Sequence, residues 1–299
     1  AKGQADERPA VVDPRIADHG LAHETHGEPV GAVYGYTAML WKLADELHKA
    51  DGPTHMAVIL DKSSQTFRNA MYDQYKAHRP PPPEDLVPQF PMIRDATRAF
   101  SLPCIEEEGW EADDLIASYT RAALAQGWQV TIVSSDKDLM QLMTDPSVDM
   151  LDTMNNRRLG PDAVVEKFGV GPEKLGDVLA LMGDSVDNVP GVPGVGPKTA
   201  AKLILEHGDV EGVLAAAASD TFKKGKLKQN LIEHAEAARL SRKLVELACD
   251  VPLVHPLEEL ELPASGIPDA PLRAFLEHHG FKTLMNRLGQ VADAPVAAP

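Results

Sequence analysis

The sequence predicts an α/β fold: a mainly parallel central sheet flanked by helices, followed by an all-helical C-terminal region. Three observations carry this expectation. Short apolar, β-branched runs alternate with longer helical patterns in the first half of the chain. Several of those runs close on an aspartate. From about residue 160 onward the pattern turns helical, punctuated by short Gly/Pro turns.

Taken in order, residues 1–9 read as a disordered N-terminus, and PAVVD (9–13) as a strand ending in Asp13. VGAVYGYTAMLWKLADEL (30–47) has the apolar spacing of a buried helix, and MAVILD (56–61) is a strand closed by Asp61. In SQTFRNAMYDQYKAHRP (64–80), Arg68, Lys76 and Arg79 fall on one side of an expected helix, with Tyr72 and Tyr75 interleaved. HRPPPPED (78–85) is barred from regular helix by its prolines and reads as an exposed connection. DDLIASYTRAALAQG (113–127) is a helix stopped at Gly127, and WQVTIVSSD (128–136) is a strand ending near Asp136. The expected organisation is an α/β domain over 10–180, a helical region over 181–290 and an Ala/Pro-rich linker or tail over 291–299.

Composition narrows the class. With 299 residues, 43% hydrophobic and 25% charged, the chain has the make-up of a globular protein of about two domains. No apolar run approaches the roughly 20 residues of a membrane span, and the charged start AKGQADERPA has no apolar signal core. Cys104 and Cys249 offer neither a disulfide framework nor zinc spacing, so a cytoplasmic protein with reduced thiols is expected. The net charge of −16 argues at first against a nucleic-acid partner. Its distribution argues otherwise: residues 221–243 hold seven Lys/Arg against two Glu, and Lys62, Arg68, Lys76 and Arg79 lie within 62–80.

Acids recur where strands end. Asp13, Asp61 and Asp136 close strands, with Asp138 two residues on, and open parallel sheets bind ligands at the carboxyl ends of their strands. Glu111 and Asp114 share a helical face beside Asp113, and GDSVDN (183–188) adds Asp184 and Asp187. Each acid alone has an ordinary explanation as a turn or helix-start residue. Nine of them aimed at one crevice would repel one another unless cations neutralise them. All-oxygen donors suit Mg²⁺ or Mn²⁺ rather than zinc. Two such ions about 4 Å apart support phosphodiester hydrolysis, so the acids point to metal-dependent phosphoryl transfer.

GDSVDNVPGVPGVGPKTAAKLI (183–204) is the second signal. Gly191, Gly194 and Gly196 separate two short helices, and Lys198 and Thr199 open the second. An ordinary helical connection is one reading. The GVPGVG-x-K-T-A pattern also fits a helix–hairpin–helix over 183–206, which turns backbone N–H groups toward a DNA phosphate without reading bases. The basic, tyrosine-bearing stretch 64–80 is either a solvated helix or one that meets single-stranded nucleic acid by charge and stacking.

With these motifs in hand, residues 29–290 resemble the 5′-nuclease (flap endonuclease-like) domain of bacterial DNA polymerase I. The resemblance rests on PVGAVYGYTAML, LDKSSQTFRNAMYDQYKAHRPPPPEDL, GWEADDLIAS, SSDKDLMQLM and GDSVDNVPGVPGVGPKTAAKLI. It implies a PIN-like 5′-nuclease fold, a helical arch over about 64–100 that admits a 5′ single strand, and a helix–hairpin–helix platform. It implies 5′→3′ exonuclease and flap endonuclease activity on branched DNA and RNA-primed strands in replication and repair, with a polymerase domain in cis. A monomer is the default expectation. By position, Asp61, Glu111, Asp113, Asp136, Asp138, Asp184 and Asp187 would be metal carboxylates, with Asp114 alongside and Asp13 in the place of a further one. Lys76, Arg79 and Arg68 would face the scissile phosphate. Gly191, Gly194, Gly196, Lys198, Thr199 and Tyr75 would meet DNA, and the hairpin would hold K⁺.

One segment departs from the family pattern. Pro14 stands where a glycine is usual after Asp13, and the stretch to PVGAV is shorter by several residues. A non-catalytic branched-DNA scaffold with a degenerate active site is therefore the alternative expectation. An RNA-directed PIN-like nuclease fits less well, since such domains are shorter and lack the hairpin. His19, His23 and His26 lie in the divergent segment at helical spacing, where stray histidines are expected rather than a metal site.

Overall fold

A computed structural model describes residues 24–25, 28–47, 52–153, 155–263 and 266–292. The expected strand at 9–13, Asp13, the divergent segment's histidines and most of the 291–299 tail lie outside the described residues. In chain order the elements begin with strands β1 (Glu24–Thr25) and β2 (Glu28–Pro29), helix α1 (Gly31–Leu47) and strand β3 (Val58–Ile59). Helices α2 (Phe67–Met71) and α3 (Gln89–Ala99) precede β4 (Cys104–Ile105), α4 (Ala112–Ala125) and β5 (Val130–Val133). A 3-10 turn (Asp138–Leu142) leads to β6 (Val148–Asp152) and β7 (Arg157–Leu159). Six helices follow: α5 (Pro161–Phe168), α6 (Pro172–Met182), α7 (Pro197–His207), α8 (Val210–Ala218), α9 (Lys226–Glu233) and α10 (Ala235–Leu244). The described chain closes with α11 (Asp269–His278) and α12 (Lys282–Ala292).

The chain forms two compact units. The first comprises residues 1–64, 81–108 and 253–299. Its core gathers α1, α3, α11 and α12 around Val33, Leu40, Trp41, Ile93, Phe100, Leu276 and Leu284, beside the parallel pair β3–β4. Helix α1 has no acid in its first turn to offset the dipole. Instead the buried Gln89 Oε1 accepts from Ala32 N at 2.8 Å and Val33 N at 3.2 Å, satisfying donors that a helix start leaves open.

The second unit, residues 65–80 and 109–252, carries every described site residue except Asp61. Strand β5 pairs parallel with β6, and β7 adds antiparallel. Helix α6 is the central element: Leu175, Val178, Leu179, Ala180 and Leu181 are buried on more than one face, packed by α5, α7 and α10. Helices dominate from residue 161, as the Gly/Pro punctuation predicts. Five of them (α5, α6, α7, α8 and α9) start from Gly or Asp caps, and three (α5, α6 and α7) carry proline in the first turn, where its missing N–H costs no hydrogen bond.

The expectation of one helix through 64–80 is corrected. Helix α2 ends at Met71, and Tyr72 is extended with φ −148° and ψ 106°. Tertiary hydrogen bonds replace the helical ladder beyond it. Lys76 N donates to Asp187 O at 2.9 Å, Asn69 Nδ2 to Tyr75 O at 3.2 Å, and Asn188 Nδ2 to Gln74 O at 2.7 Å. Between Met71 and Gln89 the stretch expected as an arch is turn and irregular chain, with the prolines at 80–83 outside any helix.

Candidate metal centre

Helix α4 starts at Glu111, which serves as its N-cap and whose N–H donates to Asp114 Oδ2 at 3.2 Å. The acids at this helix start then diverge in role. Asp114 is 0% exposed and Arg68 1%. Arg68 Nη1 and Nη2 donate to Asp114 Oδ2 and Oδ1 at 2.6 and 2.8 Å, a bidentate pair. Arg68 also donates from Nε to Leu244 O at 2.8 Å and from Nη2 to Glu246 O at 2.7 Å, while Ala248 N donates to Asp114 Oδ1 at 2.9 Å. Burial pulls the Arg68 pKa down, but the Asp114 hydrogen bond and the charges of Glu111 and Asp114 together outweigh it, so the guanidinium stays charged. Here the structure corrects two expectations. Arg68 does not face a phosphate and both Asp114 oxygens are spent, so the pair is internal scaffolding that ties α2 and α4 to residues 244–248.

Glu111 turns its carboxylate toward a second group. Its Oε2 lies 3.0 Å from Lys76 Nζ and accepts from Tyr75 Oη at 3.3 Å, and Thr66 Oγ1 donates to Oε1 at 3.4 Å. Tyr75 is 5% exposed, so its ring is packing in the core rather than a stacking platform, a further correction. Burial, then the Glu111 charge, hold its phenol proton on well above the ordinary range. Lys76 occupies left-handed backbone at φ 57°, a conformation costly to a residue with a Cβ and one that concentrates at functional sites. From there its Nζ also reaches within 4.0 Å of Asp187 Oδ2, and Arg79 Nη2 donates to Asp187 Oδ1.

Asp187 comes from the turn after α6. Asp184 and Val189 close it by mutual backbone bonds, Asp184 N to Val189 O at 3.0 Å and Val189 N to Asp184 O at 2.7 Å. Asp184 Oδ1 accepts from Val186 N at 2.7 Å and Asp187 N at 3.3 Å, which leaves Oδ2 facing out of the turn. Lys137 Nζ donates to that Oδ2. Lys137 sits in the loop after β5, where Asp136 N donates to Ser134 Oγ at 3.0 Å and Asp138 N to Asp136 Oδ1 at 2.9 Å. Asp138 Oδ1 is buried without a hydrogen-bond partner, 4.0 Å from Lys137 Nζ. Burial first, then the charge of Asp136, push the Asp138 carboxyl up to about 7. Asp187 and Asp184 contribute to that shift, which marks the four aspartates as one electrostatic group. Asp113 is half-buried in the first turn of α4, and Asp61 follows β3 in the first unit.

Two sets of carboxylates thus face cations in the second unit: Glu111 and Asp187 against Lys76 and Arg79, and Asp136, Asp138 and Asp184 against Lys137. Among the described residues no three metal-binding side chains converge on one point as they stand. The donors nonetheless suit a hard divalent cation. They are all oxygen, their net charge is negative, and the buried Asp138 Oδ1 is the kind of unsatisfied polar atom a bound ion explains. Sequence reading missed Lys137, whose only signal is a lone cation between two acids in SSDKDL.

The hairpin glycines differ in necessity. Gly191 has φ 61°, and a Cβ there would meet Gly183 N at 2.5 Å and Gly183 Cα at 2.7 Å. Its N–H donates to the buried Ser241 Oγ at 2.9 Å. Gly194 is also left-handed at φ 78°, whereas Gly196 has φ −95° and open space around its Cα, serving as the α7 N-cap. Lys198 is exposed and Thr199 half-buried in the first turn of α7.

An α/β unit with an acidic, cation-lined centre and a helical region carrying a glycine hairpin define the class, a resolvase-like nuclease domain joined to a SAM-type helical domain. The family descriptions that match are "5′-3′ exonuclease, N-terminal resolvase-like domain" over residues 16–169 and "5′-3′ exonuclease, C-terminal SAM fold" over residues 170–266. The chain belongs to the 5′-3′ exonuclease family. It is 50% identical over 281 residues to the DNA polymerase I of Rhizobium leguminosarum, covering 93% of this chain and 27% of that protein. It is 35% identical over 265 residues to the 5′-3′ exonuclease of Aquifex aeolicus, covering 89% of this chain and 87% of that one. The chain therefore spans about a quarter to a third of the DNA polymerase I relatives and most of the stand-alone exonuclease. Among solved structures, T5 5′-exonuclease with bound divalent ions (zinc) superposes with a TM-score of 0.64 at 25% identity, covering 90% of this chain and 98% of that one.

Proposed function

We propose that this chain is a Mg²⁺-dependent, structure-specific 5′ nuclease, removing 5′ flaps and RNA-primed strands as exonuclease and flap endonuclease. The observation that carries the reading is the pairing of two carboxylate sets with Lys76, Arg79 and Lys137 in one unit, one buried carboxylate oxygen lacking a partner. Asp136, Asp138, Asp184, Asp187 and Glu111 would hold the ions, with Asp113 beside them. Bound Mg²⁺ would supply a deprotonated water near neutral pH and charge stabilisation at the leaving oxygen. The protein's own residues do the rest. Lys76 is held by its strained backbone and by the Asp187 carbonyl, so its ammonium needs little reorganisation to meet negative charge growing on a phosphate. Arg79 stands beside it on Asp187 as a second donor. Tyr75 and Thr66 orient Glu111 by hydrogen bonds to its two oxygens.

Gly191 and Gly194 shape the loop before α7, where Lys198 and Thr199 would meet duplex phosphates and the hairpin carbonyls would take K⁺. No described helix is long and apolar enough to cross a membrane. Action on chromosomal DNA in the cytoplasm is part of the proposal. A polymerase domain in cis and a monomeric state are part of the proposal. Incubation with a 5′-flap DNA in Mg²⁺ and in EDTA tests it. Cleavage only with Mg²⁺ supports the reading; binding without cleavage in Mg²⁺ favours the non-catalytic scaffold instead.

A further inference from the structure

Lys137 sits where a metal would. Of the two Asp184 oxygens, Oδ1 is consumed by the N–H groups of Val186 and Asp187, so Oδ2 alone remains for a ligand, and Lys137 Nζ donates to it. Of the polar atoms in Asp138, Oδ1 is the buried one with no hydrogen-bond partner, and the same Nζ lies 4.0 Å from it. One ammonium therefore faces the remaining oxygen of Asp184 and the buried, unpartnered oxygen of Asp138. It is also a movable group. Its side chain is 32% exposed, so it can swing into water without unpacking the core, and lysine is a flexible, strongly hydrated point charge. Arg68 differs on both counts, being inside the core and held by bonds to Asp114, Leu244 and Glu246.

We propose that Lys137 is a resident counter-cation of this acid group, displaced when a divalent ion binds, and that it thereby sets the affinity of the chain for the ion. The inference rests on the metal-centre reading above. Its physical basis is competition. Three acids, Asp136, Asp138 and Asp184, repel one another without a cation, and Lys137 holds them in register until a doubly charged ion takes the same oxygens. Every ion that binds must first break the Lys137–Asp184 pair. The result is weaker but reversible loading, with the acids pre-arranged rather than splayed.

Calorimetric Mg²⁺ titration of the whole chain tests this with Lys137→Met and Lys137→Arg. Lys137→Met, which keeps the stem and loses the charge, should bind Mg²⁺ about five- to tenfold more tightly, and Lys137→Arg should stay near wild type. Thermal midpoints add a readout that a purely structural lysine would not move. Lys137→Met should be destabilised in EDTA and recover in Mg²⁺, widening the gap between the two conditions. Equal Mg²⁺ affinity, with the same midpoint loss in both conditions, overturns the proposal. Should Lys137→Met fail to fold, the wild type decides the matter. Acetylation of Lys137 by an amine-reactive ester, followed by peptide mass, should be several-fold faster in Mg²⁺ than in EDTA, and an unchanged or slower rate overturns it. If the wild type binds no Mg²⁺ at all, the metal-centre reading fails, which is distinct from binding that is indifferent to Lys137.

Discussion

Asp114→Asn separates a structural acid from a metal ligand at the α4 start. The substitution keeps side-chain size and removes the charge. In the wild type four donors converge on two oxygens: Arg68 Nη1 and Glu111 N on Oδ2, Arg68 Nη2 and Ala248 N on Oδ1. An amide offers one acceptor oxygen and sets its own NH₂ against the remaining donors. Water cannot compensate, since the Arg68 and Asp114 side chains are 2% and 0% exposed. Removing one partner of a buried ion pair costs about 3–5 kcal/mol. At about 2–4 °C per kcal/mol for a unit of this size, the thermal midpoint falls by roughly 6–20 °C. Thermal and urea unfolding by far-UV circular dichroism measure this. Adding Arg68→Met to Asp114→Asn should recover part of the loss, because the orphaned guanidinium is gone. Mg²⁺ affinity of the folded Asp114→Asn protein should stay close to wild type. A variant as stable as wild type that no longer binds Mg²⁺ would refute the reasoning and return Asp114 to the ligand set.

The remaining predictions concern charge, pH and backbone. Lys76→Ala should lower the single-turnover cleavage rate by about 10²–10³-fold with little change in flap-DNA affinity; an equal fall in both would make Lys76 a binding residue only. Asp138 has its pKa raised to about 7, so at intermediate pH the folded chain keeps a proton that the unfolded chain has released. The stability of the metal-free protein is therefore full below the ordinary carboxylate range and is lost as pH rises through about 7. Melting in EDTA across that window should show the decline, and Asp138→Asn should remove it; a flat wild-type profile contradicts the assignment. Gly191→Ala should destabilise the hairpin and weaken duplex binding, since its Cβ would lie 2.5 Å from Gly183 N, while Gly196→Ala should be tolerated. Equal behaviour of the two in a binding titration would show that the Gly191 contact does not govern the loop.

What the sequence could show depended on whether a residue's role is decided by neighbours along the chain. Helix α4, the strand ending near Asp136 and the Asp184–Asp187 turn are local matters of period, caps and turn chemistry, and each was readable from its own few residues. The segment 72–79 was not. Its helical spacing is real, but the Asp187 carbonyl and the Asn188 side chain, more than a hundred residues away, bind its backbone N–H and C=O groups and hold it as turns. The same reason misassigned Arg68. Nothing local shows that its partners are Asp114 and the carbonyls of Leu244 and Glu246.

A motif of acids also cannot tell which carboxylates are spent inside the protein and which retain an oxygen for a ligand. Here that difference is decided by donors. Asp114 meets four of them and is closed, whereas Asp184 meets two backbone N–H groups on one oxygen and a single mobile ammonium on the other. Backbone N–H groups and the buried Arg68 guanidinium cannot leave when an ion arrives, but a lysine with a solvated path can. The acids paired to lysine are thus the ones that a metal can claim. By that criterion Asp184 and Asp138 are open and Asp114 is not, a ranking that sequence spacing gives no means to draw.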